Sequence, residues 1–259
     1  MILVEKPHII YFIGLIIISI ITIIILVVLP RGTPVPELST TFFLLGLGLN
    51  STLLLWTIGG YLLFRWLQSK RKNPSLLIWS ISFFLYSITF VAHIFRAFGI
   101  VDANENTSVF HFFTYRWGMV VWAGGMIYGL LKILTDKKKF QIYGSVGVLG
   151  IGFLSLILGL FVIPTDNPIE FTMYIFLHII WIPICFTMSY IFFYYGYKTK
   201  QLGPKILGLG FFLLMVSYYG WAPWHFSNVV YLYFLWYFIF VLSLTPILMG
   251  FVIMSIEEK

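Results

Sequence analysis

His93 and Arg96 stand one helical turn apart, Tyr115 and Arg116 adjoin, and His178 and Trp181 are again three residues apart. These side chains suit ligand recognition. A guanidinium fork matches a carboxylate, an imidazole ligates metals, and indole and phenol rings give apolar walls ending in one hydrogen-bonding group. Two chemistries follow. The first is recognition of a small organic or anionic ligand by His93, Arg96, Tyr115, Arg116, His178 and Trp181. The second is a b-type haem with His93 and His178 as axial ligands and Arg96, one turn outward, meeting a propionate. A third reading is a structural subunit without a site of its own.

Hydrolytic and proton-transfer chemistry is poorly supplied. All nine acidic residues fall at the ends of apolar runs or between them, so no carboxylate sits inside a run. Buried carboxylates carry most proton relays and intramembrane cation sites. A proton pump, a carboxylate-based symporter and an intramembrane aspartyl protease are therefore not expected. The sequence holds no HExxH, P-loop or GxSxG motif. His178 and Cys185 are two helical turns apart, about 10 Å along an axis, beyond the reach of a nucleophile–base pair. With a single cysteine no internal disulfide forms. The expectation is a non-enzymatic protein.

The elements that must position these residues follow from composition. Of 259 residues, 60% are apolar and only 10% charged, against about 45–50% and about 25% in a soluble domain. The apolar residues come in runs long enough to cross a bilayer. The predicted fold is an all-α, polytopic integral membrane helical bundle with eight transmembrane helices over 9–29, 41–66, 76–100, 110–134, 140–163, 169–195, 206–221 and 229–256. A leading helix and outer linker (1–36) precede a seven-helix core (37–259). The first run is too long for a signal-peptide core and lacks a small-x-small cleavage site, so it is expected to be retained. The seventh is the shortest, and Gly220–Ser227 reads as a tight aromatic turn.

Thirteen of the 16 Lys and Arg residues then fall on one side, at 6, 65, 70–72, 132, 137–139, 198, 200, 205 and 259. Basic loops stay cytoplasmic. The reading is a multi-pass cell-membrane protein with both termini in the cytoplasm, and the net charge of +7 implies no nucleic-acid partner.

Seven helices opened by an outside N-terminus, with Tyr115-Arg116-Trp117 at the start of the third, resemble the microbial rhodopsin layout. That family holds its retinal on a lysine of the last helix. No lysine lies between Lys205 and Lys259, so light-driven chemistry is not expected.

Within the spans, Trp79, Ser82, Tyr86, Thr89, His93 and Arg96 repeat at spacings of three and four, which puts them on one helical face. Tyr174, His178, Trp181 and Cys185 do the same. His93 and His178 lie about 10 and 13 Å below the outer ends of their spans. Spans three, four, six and seven are thus expected to form an outward-facing polar-aromatic pocket, with the signal passing to a separate protein partner. The Gly46/Gly48, Gly124/Gly125, Gly147/Gly150/Gly152 and Gly208/Gly210 groups are expected to let helices approach closely. Pro183 and Pro246 should kink their helices, with Ser243 and Thr245 serving carbonyls freed by Pro246.

Overall fold

A computed structural model describes residues 41–69, 73–97, 116–161, 175–227 and 230–257. The predicted leading span and its linker lie outside these residues, as do Tyr115, His111 and Tyr174. Among the described residues every element is helical: α1 Thr41–Gln68, α2 Pro74–Ala97, α3 Trp117–Leu134, α4 Lys138–Phe161, a π turn Leu177–Trp181 leading into α5 Ile182–Thr199, α6 Leu202–Ser227 and α7 Val230–Glu257. Six stretches are long and apolar enough to cross a membrane: Gly46–Gln68, Pro74–Val91, Trp117–Leu134, Lys138–Gly159, Leu177–Thr199 and Tyr237–Glu257. The chain is a multi-pass helical membrane protein, suited to a lipid bilayer.

One expected feature is overturned. Gly220–Ser227 is not a turn but the end of α6, which runs unbroken to Ser227 through Gly220 and Pro223. A proline inside a helix removes one backbone donor without unwinding it where neighbours resatisfy the carbonyl. The 26 residues of α6 extend for about 39 Å.

The described helices fall into two compact units, residues 39–176 and 177–259. In the first, α1, α2, α3 and α4 pack each on the next. Asn73 starts α2: its side-chain Oδ1 accepts the Ser75 N–H at 3.1 Å, and Pro74 takes the first helical position, where a missing N–H costs nothing. The α1–α2 pair is antiparallel and tied by hydroxyls. Trp56 Nε1 donates to Ser87 Oγ at 2.7 Å, and Ser80 Oγ donates to the Gly59 carbonyl at 2.7 Å. Between α3 and α4, Ser145 Oγ donates to the Gly124 carbonyl at 2.7 Å.

In the second unit α5 packs on α6 and α6 on α7. The α5–α6 link turns through Lys200, whose φ of 58° is the left-handed conformation that ends many helices. The α6–α7 seam is close. A Cβ on Gly210 would meet the Ile247 backbone nitrogen at 2.7 Å, and one on Gly250 would meet the Leu207 nitrogen at 2.6 Å. At its cytoplasm-predicted end, Glu257 of α7 accepts the Leu202 N–H at 2.8 Å and the Gly203 N–H at 3.1 Å. The carboxylate thereby caps the positive end of α6.

The glycine expectations divide. Gly48, Gly124, Gly125, Gly152, Gly208 and Gly210 each face a neighbouring helix, but Gly46, Gly147 and Gly150 face open space. The proline expectation is also corrected in detail. Ser243 Oγ donates at 2.6 Å to the Phe240 carbonyl, not to the Leu242 carbonyl that Pro246 deprives of its donor, because the short side chain reaches back only to its own preceding turn.

Candidate functional site

The polar face of α2 is largely a packing seam. Against it α3 presents Gly118, Trp122, Gly125 and Gly129. A Cβ on Gly129 would overlap the Trp79 indole, one on Gly125 would overlap Ser82 Oγ, and one on Gly118 would meet Thr89 Oγ1 at 2.5 Å. Trp122 lies between these notches, 5.7 Å from the Tyr86 ring and 6.3 Å from the Phe83 ring, centroid to centroid. Positions rise along α2 as they fall along α3, so the helices are antiparallel, and the Trp79 indole fills the gap left by Gly129. Trp79, Ser82, Tyr86 and Thr89, expected to line a pocket, are buried in this seam. Ser82 satisfies its hydroxyl internally, donating to the Ile78 carbonyl at 2.8 Å. The sequence could not distinguish a polar stripe facing a ligand from one facing a glycine-notched helix.

The Thr89–Gly118 end of the seam is different in chemistry. Arg116 immediately precedes α3, with helical backbone angles and only 2% of its surface exposed. A buried guanidinium is costly unless charge or hydrogen bonds meet it. Two residues on, Gly118 lies against Thr89, whose buried Oγ1 has no hydrogen-bond partner among the described residues. The first turn of α3 holds no acid, and Arg116 is itself π-helical, so the helical backbone already includes it. Guanidinium and hydroxyl are both donors, and together they are suited to an oxyanion. His93 and Arg96 lie on the last two turns of α2, continuing the register of Trp79, Ser82, Tyr86 and Thr89. Their side chains lie outside the described residues, as does all of Tyr115.

In the second unit His178 and Trp181 are buried, at 2% and 0% exposure, and so is Cys185. They do not form a simple α-helical stripe, because Leu177–Trp181 is a π turn. Pro183 has no N–H to offer the Ile179 carbonyl four residues before it, which favours a local change of hydrogen-bond register there. Trp181 packs on Tyr218 of α6 with ring centroids 4.2 Å apart, and Tyr218 meets Phe240 of α7 edge-on at 5.9 Å. Among the described residues no group of three His, Cys, Asp or Glu side chains converges on a metal-sized site. The two histidines considered as a haem pair belong to different units, as do the spans of the expected four-span pocket.

Sequence reasoning gave little weight to Asn73 and Lys132. Lys132 Nζ donates to Asn73 Oδ1 at 3.0 Å, joining the end of α3 to the start of α2. The signal available was the Asn-Pro pair, a strong helix-start mark.

Comparison with known proteins gives no match to any family model, to any curated protein or to any solved structure.

Proposed function

We propose that this protein is a non-enzymatic, receptor- or sensor-like protein of the cell membrane that binds a small carboxylate-bearing ligand beside Arg116. The observation that carries the reading is the buried Arg116, with the Thr89 hydroxyl, which has no hydrogen-bond partner among the described residues, against Gly118 two residues further on. Arg116 supplies the charge and the fork, and Thr89 donates one further hydrogen bond. His93 and Arg96, further along the same face of α2, and Tyr115, next to Arg116 in the sequence, are the further contacts proposed. The topology proposed with it is eight spans with both termini cytoplasmic, which puts the Arg116 end of α3 toward the outside. The signal passes to a separate protein partner.

The test is a thermal-shift and calorimetric screen of small mono- and dicarboxylates on the full chain in neutral detergent. A carboxylate that binds the wild type should bind Arg116→Gln at least about tenfold more weakly, since hydrogen bonds to charged groups contribute about 1.5–3 kcal/mol. Arg116→Lys should retain part of the affinity, and Thr89→Val should lose several-fold while keeping its fold. Equal binding by wild type and Arg116→Gln would remove the site. A reduced-minus-oxidised spectrum of the same preparation tests the haem reading: b-type bands abolished in His178→Ala would replace the receptor with a haem-bearing subunit of an electron-transfer complex.

A further inference from the structure

The side of α1 turned away from α2 carries a seven-residue repeat. Gly48 and Gly59 mark the packed side: a Cβ on Gly48 would meet the Phe90 carbonyl oxygen of α2 at 3.0 Å, and one on Gly59 the Ser80 carbonyl oxygen at 3.1 Å. On the other side stand Gly46, Asn50, Leu53, Thr57, Gly60 and Phe64, at spacings of four, three, four, three and four. Asn50, Leu53, Thr57 and Phe64 are exposed, and a Cβ on Gly46 or Gly60 would have nothing within 4 Å. This is the spacing of a coiled-coil seam, with Asn50, Thr57 and Phe64 in one set of core positions and Gly46, Leu53 and Gly60 in the other. The described helices leave it open.

Asn50 says what the seam needs. It lies inside the Gly46–Gln68 span. It is fifteen residues from Arg65 at the far end of α1, about 22 Å, and so within a hydrocarbon layer about 30 Å thick. Thr57, two turns on, settles its own hydroxyl by donating to the Leu53 carbonyl at 2.7 Å. Asn50 is exposed and makes no hydrogen bond among the described residues. Acyl chains cover Leu53 and Phe64 well, but they offer an amide neither donor nor acceptor, and an unmet polar group in hydrocarbon is costly. The occupant must therefore bring a group complementary to an amide to this depth. Copies of one chain share one orientation in a bilayer. A two-fold axis along the membrane normal thus sets α1 parallel to α1, with each residue of the seam beside itself at one depth. A carboxamide is donor and acceptor at once, so Asn50 is its own complement. The seam from Gly46 to Phe64 carries no charge to repel its copy, and Gly46 and Gly60 let two backbones approach.

We infer that the uncovered side of α1 is a homodimer interface, in which Asn50 of one copy hydrogen-bonds Asn50 of a second copy in the membrane. Leu53 and Phe64 pack against their counterparts, and the two glycines set how closely the helices approach. A single asparagine among apolar core positions fixes register and favours two strands.

The experiment uses the full chain carrying Cys185→Ser, labelled at Lys200→Cys with a donor or an acceptor dye and reconstituted together in phosphatidylcholine vesicles. Energy transfer between copies should fall as lipid is added, which gives a dissociation constant. Asn50→Leu should weaken association about fivefold, as loss of an interhelical hydrogen bond does in model peptides. Asn50→Gln should keep part of it, and Gly60→Leu, which fills the approach, should weaken it as well. Phe238→Ala, at an exposed position of α7, should leave it unchanged. Because Asn50 is exposed, its replacement by leucine should not lower the melting temperature of the monomer. In the same vesicles Leu53→Cys should cross-link copy to copy on oxidation, and Ile151→Cys, exposed on α4, should not. Equal association of wild type and Asn50→Leu would overturn the inference, as would cross-linking at Ile151→Cys but not at Leu53→Cys. A wild type that stays monomeric at every protein-to-lipid ratio also overturns it, and the face then belongs to the chain's own 9–29 run or to another protein.

Discussion

Gly129 has no side chain because the Trp79 indole occupies the place where its Cβ would be. Gly129→Ala is therefore expected to destabilise the protein by about 1–3 kcal/mol, the usual cost of overpacking a filled seam. Thermal melts in detergent check this, with Gly147→Ala as the comparison. Gly147 faces open space, so that change should cost nothing and gain a little helix propensity. An equal loss at both positions would mean that the α2–α3 notch does not set stability. At this scale the sequence was only half legible. The three–four spacing of Trp79, Ser82, Tyr86 and Thr89 correctly marks a buried face. What that face meets depends on Gly118, Gly125 and Gly129 of another helix, and no local pattern pairs them. Arg116 was legible as a candidate ligand contact, but its burial was not.

The elements were more legible than their irregularities. Apolar runs located each described helix, since a span must satisfy its own backbone. The π turn before α5 was not legible, because its signal is a missing donor at Pro183 and not a periodicity. Nor was the length of α6, whose Gly220 and Pro223 look like a break when read alone. The Glu257 cap joins residues 55 positions apart, beyond any local rule. Glu257→Ala should cost about 0.5–2 kcal/mol, as removal of a helix cap does, and Glu257→Gln less, because its amide oxygen still accepts one of the N–H groups. Chemical denaturation in mixed micelles measures both. If neither variant loses stability, the cap contributes nothing beyond what water supplies.

For the whole molecule, the composition was enough to identify a multi-pass membrane protein, and charge placement gives a topology to test. Within the first unit successive helices are antiparallel, which brings the 69–73 and 135–137 connections to one end, as the Lys132–Asn73 bond requires. Single cysteines introduced at Lys137 and Lys200 in a Cys185→Ser background should react with a membrane-impermeant reagent only from the cytoplasmic side. Labelling of either from outside would overturn the orientation. The long reach of the Glu257 cap also bears on biosynthesis. The first turn of α6 leaves the ribosome 55 residues ahead of the carboxylate that completes it. At about 5–20 residues per second the delay is about 3–11 s. During that interval Leu202 and Gly203 must be served by water or by the insertion machinery, so α6 reaches its finished state only when α7 has been made.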